Sequence, residues 1–188
     1  MSRAYRIIRR EERQTDLTES GELRIPFQWL PVGSSASRRD CLAKTLRRAG
    51  FQPFDGGWLR RDAECELSCD GDAGMMTVSV TRTHATRLHA EHHAILHDED
   101  AEETVAFREA ALAADVNRDL DQQSRNLREA LKRAIHDWME QNRALYESLI
   151  HGWQHEVTVE LVRIEASRLG SVKSIQDDGR EAVIVVQI

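Results

Sequence analysis

The stretch 84–97 contains five histidines, the densest group of potential metal ligands in the sequence. On a helix, His89, His93 and His97 would share one face at the i, i+4 spacing that metal ligands use. On a strand they would also share a face, but each would lie about 13 Å from the next, too far to chelate one ion. No HExxH pattern is present. We therefore interpret the cluster as a polar surface facing solvent or a partner, and keep a metal site as the weaker alternative.

Three cysteines are the other residues with reactive side chains. If Cys65 and Cys69 lie on one strand face, they are about 13 Å apart, whereas a disulfide needs Cα atoms within about 7 Å. The sequence therefore predicts that Cys41, Cys65 and Cys69 are reduced and that Cys65 and Cys69 lie in the core. The acidic segment 70–74 resembles part of a calcium loop, but Thr81 stands where a bidentate Glu would be needed, which favours a simple turn.

The sequence contains no nucleophile elbow, P-loop or dinucleotide-binding motif, so we predict neither an enzyme nor a cofactor. The chain has 188 residues and a net charge of −6, which as a whole would repel a phosphate backbone. Nucleic acid is therefore not the expected partner. We find no signal-peptide pattern and no apolar run of about 20 residues, which predicts a cytoplasmic protein without a membrane span.

The N-terminal half has the pattern of an α+β fold. Residues 4–9 and 23–32 favour extended structure, and Ser37 begins a capping pattern for a helix that ends at Gly50. Apolar and polar residues alternate in 63–69 and again in 76–81, on either side of the acidic turn, which predicts an antiparallel hairpin. The histidine-rich segment 82–97 fits a continuing strand or the start of a helix, and we favour the strand.

The C-terminal half is dominated by one helical pattern. Apolar side chains recur at gaps of three, four or seven residues from about Leu120 to Leu169, and Gly170 provides a C-cap. A straight helix of this extent would be about 75 Å long. Gly152 is the position where a bend or a helical hairpin is conceivable.

After this helix the sequence predicts a terminal hairpin, with strands at 172–175 and 182–188 and a turn at 177–179. We therefore predict an N-terminal α+β domain over 1–97, a long helical region over 98–170, and a C-terminal hairpin over 171–188. We expect the hairpin to pack with the N-terminal domain.

The apolar stripe of the long helix is the predicted partner-binding surface. A chain of this size is expected to be too small to cover such a stripe, so we expect it to bind a protein partner or to pair with a second copy as a coiled coil. The residues predicted to bind are Leu127, Leu131, Ile135, Trp138, Leu145, Leu149, Trp153, Val157 and Leu161.

Four segments carry a resemblance to a known family: Met1–Ile7, Leu42–Phe51, Glu165–Ile175 and Gly179–Ile188. They resemble small bacterial proteins encoded beside a MoxR-type or FtsH-like AAA+ ATPase and a von Willebrand factor A protein, in ternary systems. This resemblance implies an accessory role, with one of those proteins as partner and with no catalytic residues.

Two hypotheses of different class follow. The first is a non-enzymatic adaptor that uses the long helix, and the terminal hairpin as well, to bind the ATPase assembly or another copy of itself. The second is a small metal-dependent or nucleic-acid-acting enzyme centred on the cluster from His84 to His97.

Overall fold

The structure is a computed structural model that describes residues 3–29, 31–178 and 182–187. It confirms the predicted α+β class, with an antiparallel sheet, one long helix and a terminal β-hairpin. The elements are β1 (Ala4–Pro26), α1 (Ser35–Arg48), β2 (Gln52–Phe54), β3 (Gly57–Arg61), β4 (Glu66–Asp70), β5 (Met75–His97), α2 (Glu102–Leu169), β6 (Ser171–Asp177) and β7 (Ala182–Gln187).

Strands β1 to β5 form one sheet in the order β1-β5-β4-β3-β2. The pairs β2–β3, β3–β4 and β4–β5 are antiparallel, and Leu67 of β4 lies opposite Val78 of β5. Strand β1 lies beside β5, and their contacts run in reverse order, from Arg3 with Asp98 to Thr18 with Thr83. The segment 82–97 therefore continues β5, which confirms the strand that we favoured over a helix.

By its contacts the chain divides into two compact units, each assembled from segments that are distant in sequence. Unit 1 contains Met1–Ser20 and Thr81–Ile135, and unit 2 contains Gly21–Val80 and His136–Ile188. The predicted division into 1–97, 98–170 and 171–188 stays a prediction about which segments fold together.

The core of unit 1 lies between β5 and the first half of α2. Leu88 and Ala90 of the strand form one buried cluster with Val116 and Leu120 of the helix, and Leu127 packs against it. The strand alternates at period 2 and the helix repeats at four residues, so each element presents one apolar face to the other. The opposite strand face, which includes His89, remains exposed.

The core of unit 2 is formed by the other half of the sheet with α1 and the second half of α2. In β4 and at the start of β5 every second side chain is buried. The buried residues of unit 2 include Leu23, Ile25, Leu42, Leu46, Leu67, Met76, Val78, Val80, Val157 and Leu161.

Helix α2 begins at Glu102, well before the predicted start at Leu120. Glu102 and Glu103 occupy its first turn, where carboxylates interact favourably with the positive end of the helix dipole. The helix also runs through Gly152 without interruption, so the helical hairpin considered at that residue does not form.

Two N-terminal boundaries differ from the prediction. Residues 4–9 and 23–26 belong to one strand that ends at Pro26, so the extended segment predicted to 32 ends earlier. Residues 27–29 and 31–32 lie outside the strand, and Leu30 lies outside the described residues. The N-cap of α1 is Ser34, whose hydroxyl accepts a hydrogen bond from the Ser37 amide at 3.1 Å, so Ser37 lies in the first turn. Gly50 follows the C-cap with a φ of 86°, a left-handed conformation that favours glycine.

The predicted terminal hairpin is confirmed. Strand β6 pairs with β7 in an antiparallel two-stranded sheet of its own, with Ile175 opposite Ile184. Of the predicted turn and final strand, Gly179 and Ile188 lie outside the described residues.

Replacing Leu120 with Ala should destabilise unit 1 because this side chain is 1% exposed and its removal leaves a cavity. We expect the free energy of unfolding, measured by urea denaturation, to fall by about 2–5 kcal/mol. The matched control is Leu145→Ala on the same helix, where the leucine is 55% exposed and the loss should stay within about 0.5 kcal/mol. Equal losses in the two variants would contradict the assigned packing.

Candidate functional site

The predicted partner-binding stripe on α2 is only partly open to solvent. Ile135, Val157 and Leu161 are buried within this chain, and Leu145 is exposed. The other predicted residues are half-buried: Leu127, Leu131, Trp138, Leu149 and Trp153. Our expectation that the chain could not cover the stripe by itself is therefore wrong for the three buried residues. Partner binding by the accessible residues stays a prediction.

Both tryptophans of the stripe make contacts within unit 2. The indole of Trp138 donates a hydrogen bond to a carboxylate oxygen of Glu64 at 2.8 Å. The ring of Trp153 stands edge-on to Phe51, with the ring centroids 5.4 Å apart. These contacts place the stripe's aromatic residues against segments that precede β4, so they help to fix the helix within its own unit.

Between Ile135 and Val157 the prediction missed three buried residues of α2, namely Met139, Tyr146 and Ile150. They recur at gaps of seven and four residues, which is helical spacing, and they lie one position after stripe residues such as Trp138 and Leu145. The signal was present, but two neighbouring positions on a helix often satisfy the same periodicity. Which of the two positions is buried depends on where the sheet packs against the helix.

The cysteines are free and buried, as predicted from their spacing. A hydrogen bond of 3.2 Å joins Cys65 Sγ to the Tyr146 hydroxyl. Burial raises the pKa of Cys69 to about 12, and burial together with the bond to Cys65 raises the pKa of Tyr146. A thiol that is buried and has a raised pKa is a poor nucleophile, so Cys69 contributes packing rather than reactivity.

The histidines of β5 divide between the two faces of the strand. His89, His93 and His97 all point to the exposed face. His92 points the other way, and its Nε2 lies 2.7 Å from Asp119 of α2. Among the residues that the structure describes, no group of three or more histidine, cysteine or acidic side chains is arranged to hold a metal ion. Because this segment is a strand, His89, His93 and His97 do not have the i, i+4 spacing of a helix face. The alternative of a metal site depended on that spacing.

The exposed face of β1 and β5 in unit 1 carries an apolar patch that the sequence reading did not identify. We call it the ribbon face and define it by Ile8, His93 and Ile95, which lie on the same side of the two paired strands. Ile8 is 44% exposed and Ile95 is 53% exposed. Tyr5, His93 and Ile95 line an open pocket of about 270 Å³.

Charged pairs border the ribbon face. Arg10 of β1 forms an ion pair with Glu91 of β5 at 2.7 Å, and His89 lies 3.3 Å from Glu12. An exposed apolar centre with a polar rim is the usual anatomy of a protein-binding surface. The signal in the sequence was the presence of Ile8 and Ile95 in polar surroundings, but alternation alone does not say which strand face is covered.

The buried thiol of Cys69 should make stability depend on alkaline pH. Its pKa is raised from 9.0 to about 12 on folding, so ionisation above pH 9 favours the unfolded chain. The stabilising contribution is complete below about pH 9 and is lost as the pH approaches 12. We expect Cys69→Ala to show a smaller fall in unfolding free energy than the wild type over this range, measured by urea denaturation.

The control for this measurement is Val78→Ala, a buried neighbour without a titrating group. It should lose stability at every pH but keep the wild-type alkaline dependence. An alkaline fall as steep in Cys69→Ala as in the wild type would rule out the thiol as its source.

The histidine geometry predicts no stoichiometric metal binding. Because successive exposed imidazoles are about 13 Å apart along a strand, zinc should bind weakly and without a defined ratio in calorimetric titration. The variant with His89→Ala and His93→Ala should give the same titration as the wild type. One equivalent of tightly bound zinc that disappears in the variant would restore the metal alternative.

None of the described helices is both long enough and apolar enough to cross a membrane. The chain has no significant match among curated proteins or among solved structures. A family model described as FtsH ternary system domain X5 matches residues 1–188, which is the whole sequence. This agrees with the FtsH-like part of the resemblance found in the sequence, while the match says nothing of a MoxR-type ATPase or a von Willebrand factor A protein. The chain therefore belongs to the FtsH ternary system domain X5 family and is a component of an FtsH-associated ternary system.

Proposed function

We propose that this chain is a non-enzymatic accessory protein that binds the AAA+ ATPase of its FtsH ternary system. The observation that carries the proposal is the family match over the full sequence. A component of a multi-protein system needs a surface for another component, and the fold provides exposed apolar residues outside its cores.

The distribution of titratable side chains supports a binding role over catalysis. A catalytic site needs several polar groups that converge on one reacting atom. Here the β5 histidines alternate between solvent and single carboxylate partners, such as His92 with Asp119. The cysteines are buried, and burial raises the pKa values of Cys41 and Cys69.

The ribbon face is the surface that we assign to the ATPase. Its exposed isoleucines lie on two adjacent strands, and β5 packs against α2 in the unit 1 core, so we expect the patch to be ordered before binding. Binding to a rigid patch orders few side chains, which lowers the entropic cost of association. Arg6 and the pair of Arg10 with Glu91 surround the isoleucines and supply both signs of charge for orientation.

Leu145 is a second candidate contact, because it is the predicted stripe residue that stays exposed in the described part of the chain. If Leu145 contacts the ATPase, the long helix takes part in partner binding, as the sequence predicts. Its contribution is separable from that of the ribbon face because the two sets of residues belong to different units.

The main test compares binding of the wild type and of the variant with Ile8→Glu and Ile95→Glu to the purified ATPase of the same system. We expect binding, measured by biolayer interferometry, to weaken at least about tenfold, since buried carboxylates in the interface would lack partners. The matched control is Ala85→Glu, an exposed position on the same face of β5, which should bind like the wild type.

Circular dichroism should show that all three proteins keep the same helix content. The assignment of the ribbon face fails if the double variant binds as tightly as the wild type. The proposed function itself fails if the folded wild-type chain does not bind the ATPase at all.

Leu145→Glu tests the contribution of the helix in the same assay. We expect a loss of several-fold in affinity, since truncating one exposed apolar contact at an interface commonly costs about 1 kcal/mol. The control is Ser148→Glu, at an exposed position one turn further along α2. It adds the same charge without removing an apolar side chain, so it should change affinity little. If Leu145→Glu leaves affinity unchanged, the helix does not contact the ATPase at this position.

A further inference from the structure

Strand β7 has a free edge that distinguishes it from the other sheet edges in the described part of the chain. In a two-stranded sheet each strand pairs on one side only, so β7 has backbone N–H and C=O groups directed away from β6. The backbone of another extended chain can form hydrogen bonds with these groups. Proteins normally prevent this pairing by placing charges, prolines, bulges or very short strands at sheet edges.

The other sheet edges among the described residues carry these protective features. Strand β2 has three residues and contains Pro53. Strand β1 is dense in charge, with Arg6, Arg10 and Glu12 among its residues. In β6 the register shifts between Val172 and Ser174, so Lys173 sits at an irregularity of the edge.

Strand β7 has none of these features between Ala182 and Gln187. Its sequence is AVIVVQ, which is rich in β-branched residues and contains neither a charge nor a proline. This contrasts with the whole chain, in which 31% of residues are charged. Val183 and Val185 are each 47% exposed on one face of the strand. An exposed, uncharged, β-branched edge is the kind that pairs with another strand.

We propose that β7 pairs antiparallel with β7 of a second copy of this chain, which joins the two hairpins into a four-stranded sheet. The strand is complementary to itself. When Ile184 lies opposite its own copy, Val183 lies opposite Val185 and Ala182 lies opposite Val186, so that all pairs formed by residues 182–186 are apolar. Side chains of each pair also point to the same sheet face, as antiparallel pairing requires.

A second copy is favoured as the occupant because the chain itself supplies the required strand: extended, uncharged and already held in a hairpin. An interface between two identical strands is isologous and closes after two copies, so it leads to a dimer rather than a fibre. A two-stranded sheet is only marginally stable alone, and doubling the number of strands stabilises both hairpins. The exposed valines of both copies meet across the new pairing and lose part of their contact with water.

This inference is independent of the proposed function. Strand β7 shares no residue with the ribbon face or with Leu145, the two surfaces assigned to the ATPase. Failure of the chain to dimerise would leave ATPase binding untouched, and loss of ATPase binding would leave the dimer untouched.

Two charge variants that remove the same valines test both the pairing and its register. The repulsive variant has Val183→Lys and Val185→Lys, which places like charges opposite each other in the proposed register. The attractive variant has Val183→Lys and Val185→Glu, which places a lysine opposite a glutamate at both positions. Sedimentation equilibrium of the full chain over a range of concentrations measures the mass of each.

We expect the wild type to approach twice the mass of one chain as concentration rises. The repulsive variant should dissociate with a dimer Kd at least about tenfold higher, because like charges directly opposite destabilise a strand pair. The attractive variant should recover dimerisation relative to the repulsive one. High salt should strengthen the repulsive dimer, since screening weakens repulsion between exposed charges.

The matched control has Ser174→Lys and Gln176→Lys, which adds the same charge to exposed positions of β6 instead of β7. It should dimerise like the wild type, and circular dichroism should show that all variants stay folded. A wild type that remains monomeric at high concentration would overturn the proposal. So would a repulsive variant that dimerises as tightly as the wild type. Dimerisation of the repulsive and attractive variants with equal Kd would overturn the proposed register.

Discussion

The structure depends on the burial of one face of a 68-residue helix by strands of the same chain. A helix of this length cannot leave its apolar face in water, because each large side chain that is buried contributes about 1.5–3 kcal/mol relative to exposure. The sheet meets this requirement because β1 and β5 have 23 residues each, far longer than ordinary strands. In unit 1, Leu88 and Ala90 of β5 cover Val116 and Leu120 of the helix.

Covering the helix with one sheet face leaves the other face free, which is the usual state of an antiparallel sheet. Polar contacts between the strands and α2 lie at the edges of the interface between sheet and helix, and they leave the other sheet face exposed. Arg13 of β1 donates to Asp121 of α2 at 2.6 Å, and His92 of β5 meets Asp119. Exposed ion pairs of this kind add little stability. Their position explains why His92 contacts the helix, whereas His89, His93 and His97 on the other strand face are exposed to solvent.

The same division between covered and free surfaces underlies both functional proposals. The ribbon face is the apolar part of the free sheet surface in unit 1, and β7 is the unprotected sheet edge in unit 2. Neither requires a residue that the cores use. An accessory protein of a ternary system can thus keep a stable scaffold while it assigns separate residues to a partner and to a second copy of itself. The buried cysteines belong to the scaffold, where protonated thiols pack like small apolar side chains.

The sequence by itself determined the α+β class, the existence of the long helix and the terminal hairpin, and it favoured a strand for the histidine segment without excluding a helix. These features depend on local periodicity, which appears within a few residues of any position. It also excluded a disulfide between Cys65 and Cys69, because their spacing on a strand places them too far apart.

Tertiary structure decided which face of each element is covered. Leu145 and Tyr146 both fit a helical stripe, yet Tyr146 is buried beside Cys65 and Leu145 is exposed, because the sheet approaches the helix from one direction only. The merging of two predicted segments into β1 and the exposure of Ile8 and Ile95 have the same origin. Each depends on pairing between residues far apart in sequence, such as Thr18 with Thr83, and local patterns carry no information about such pairs.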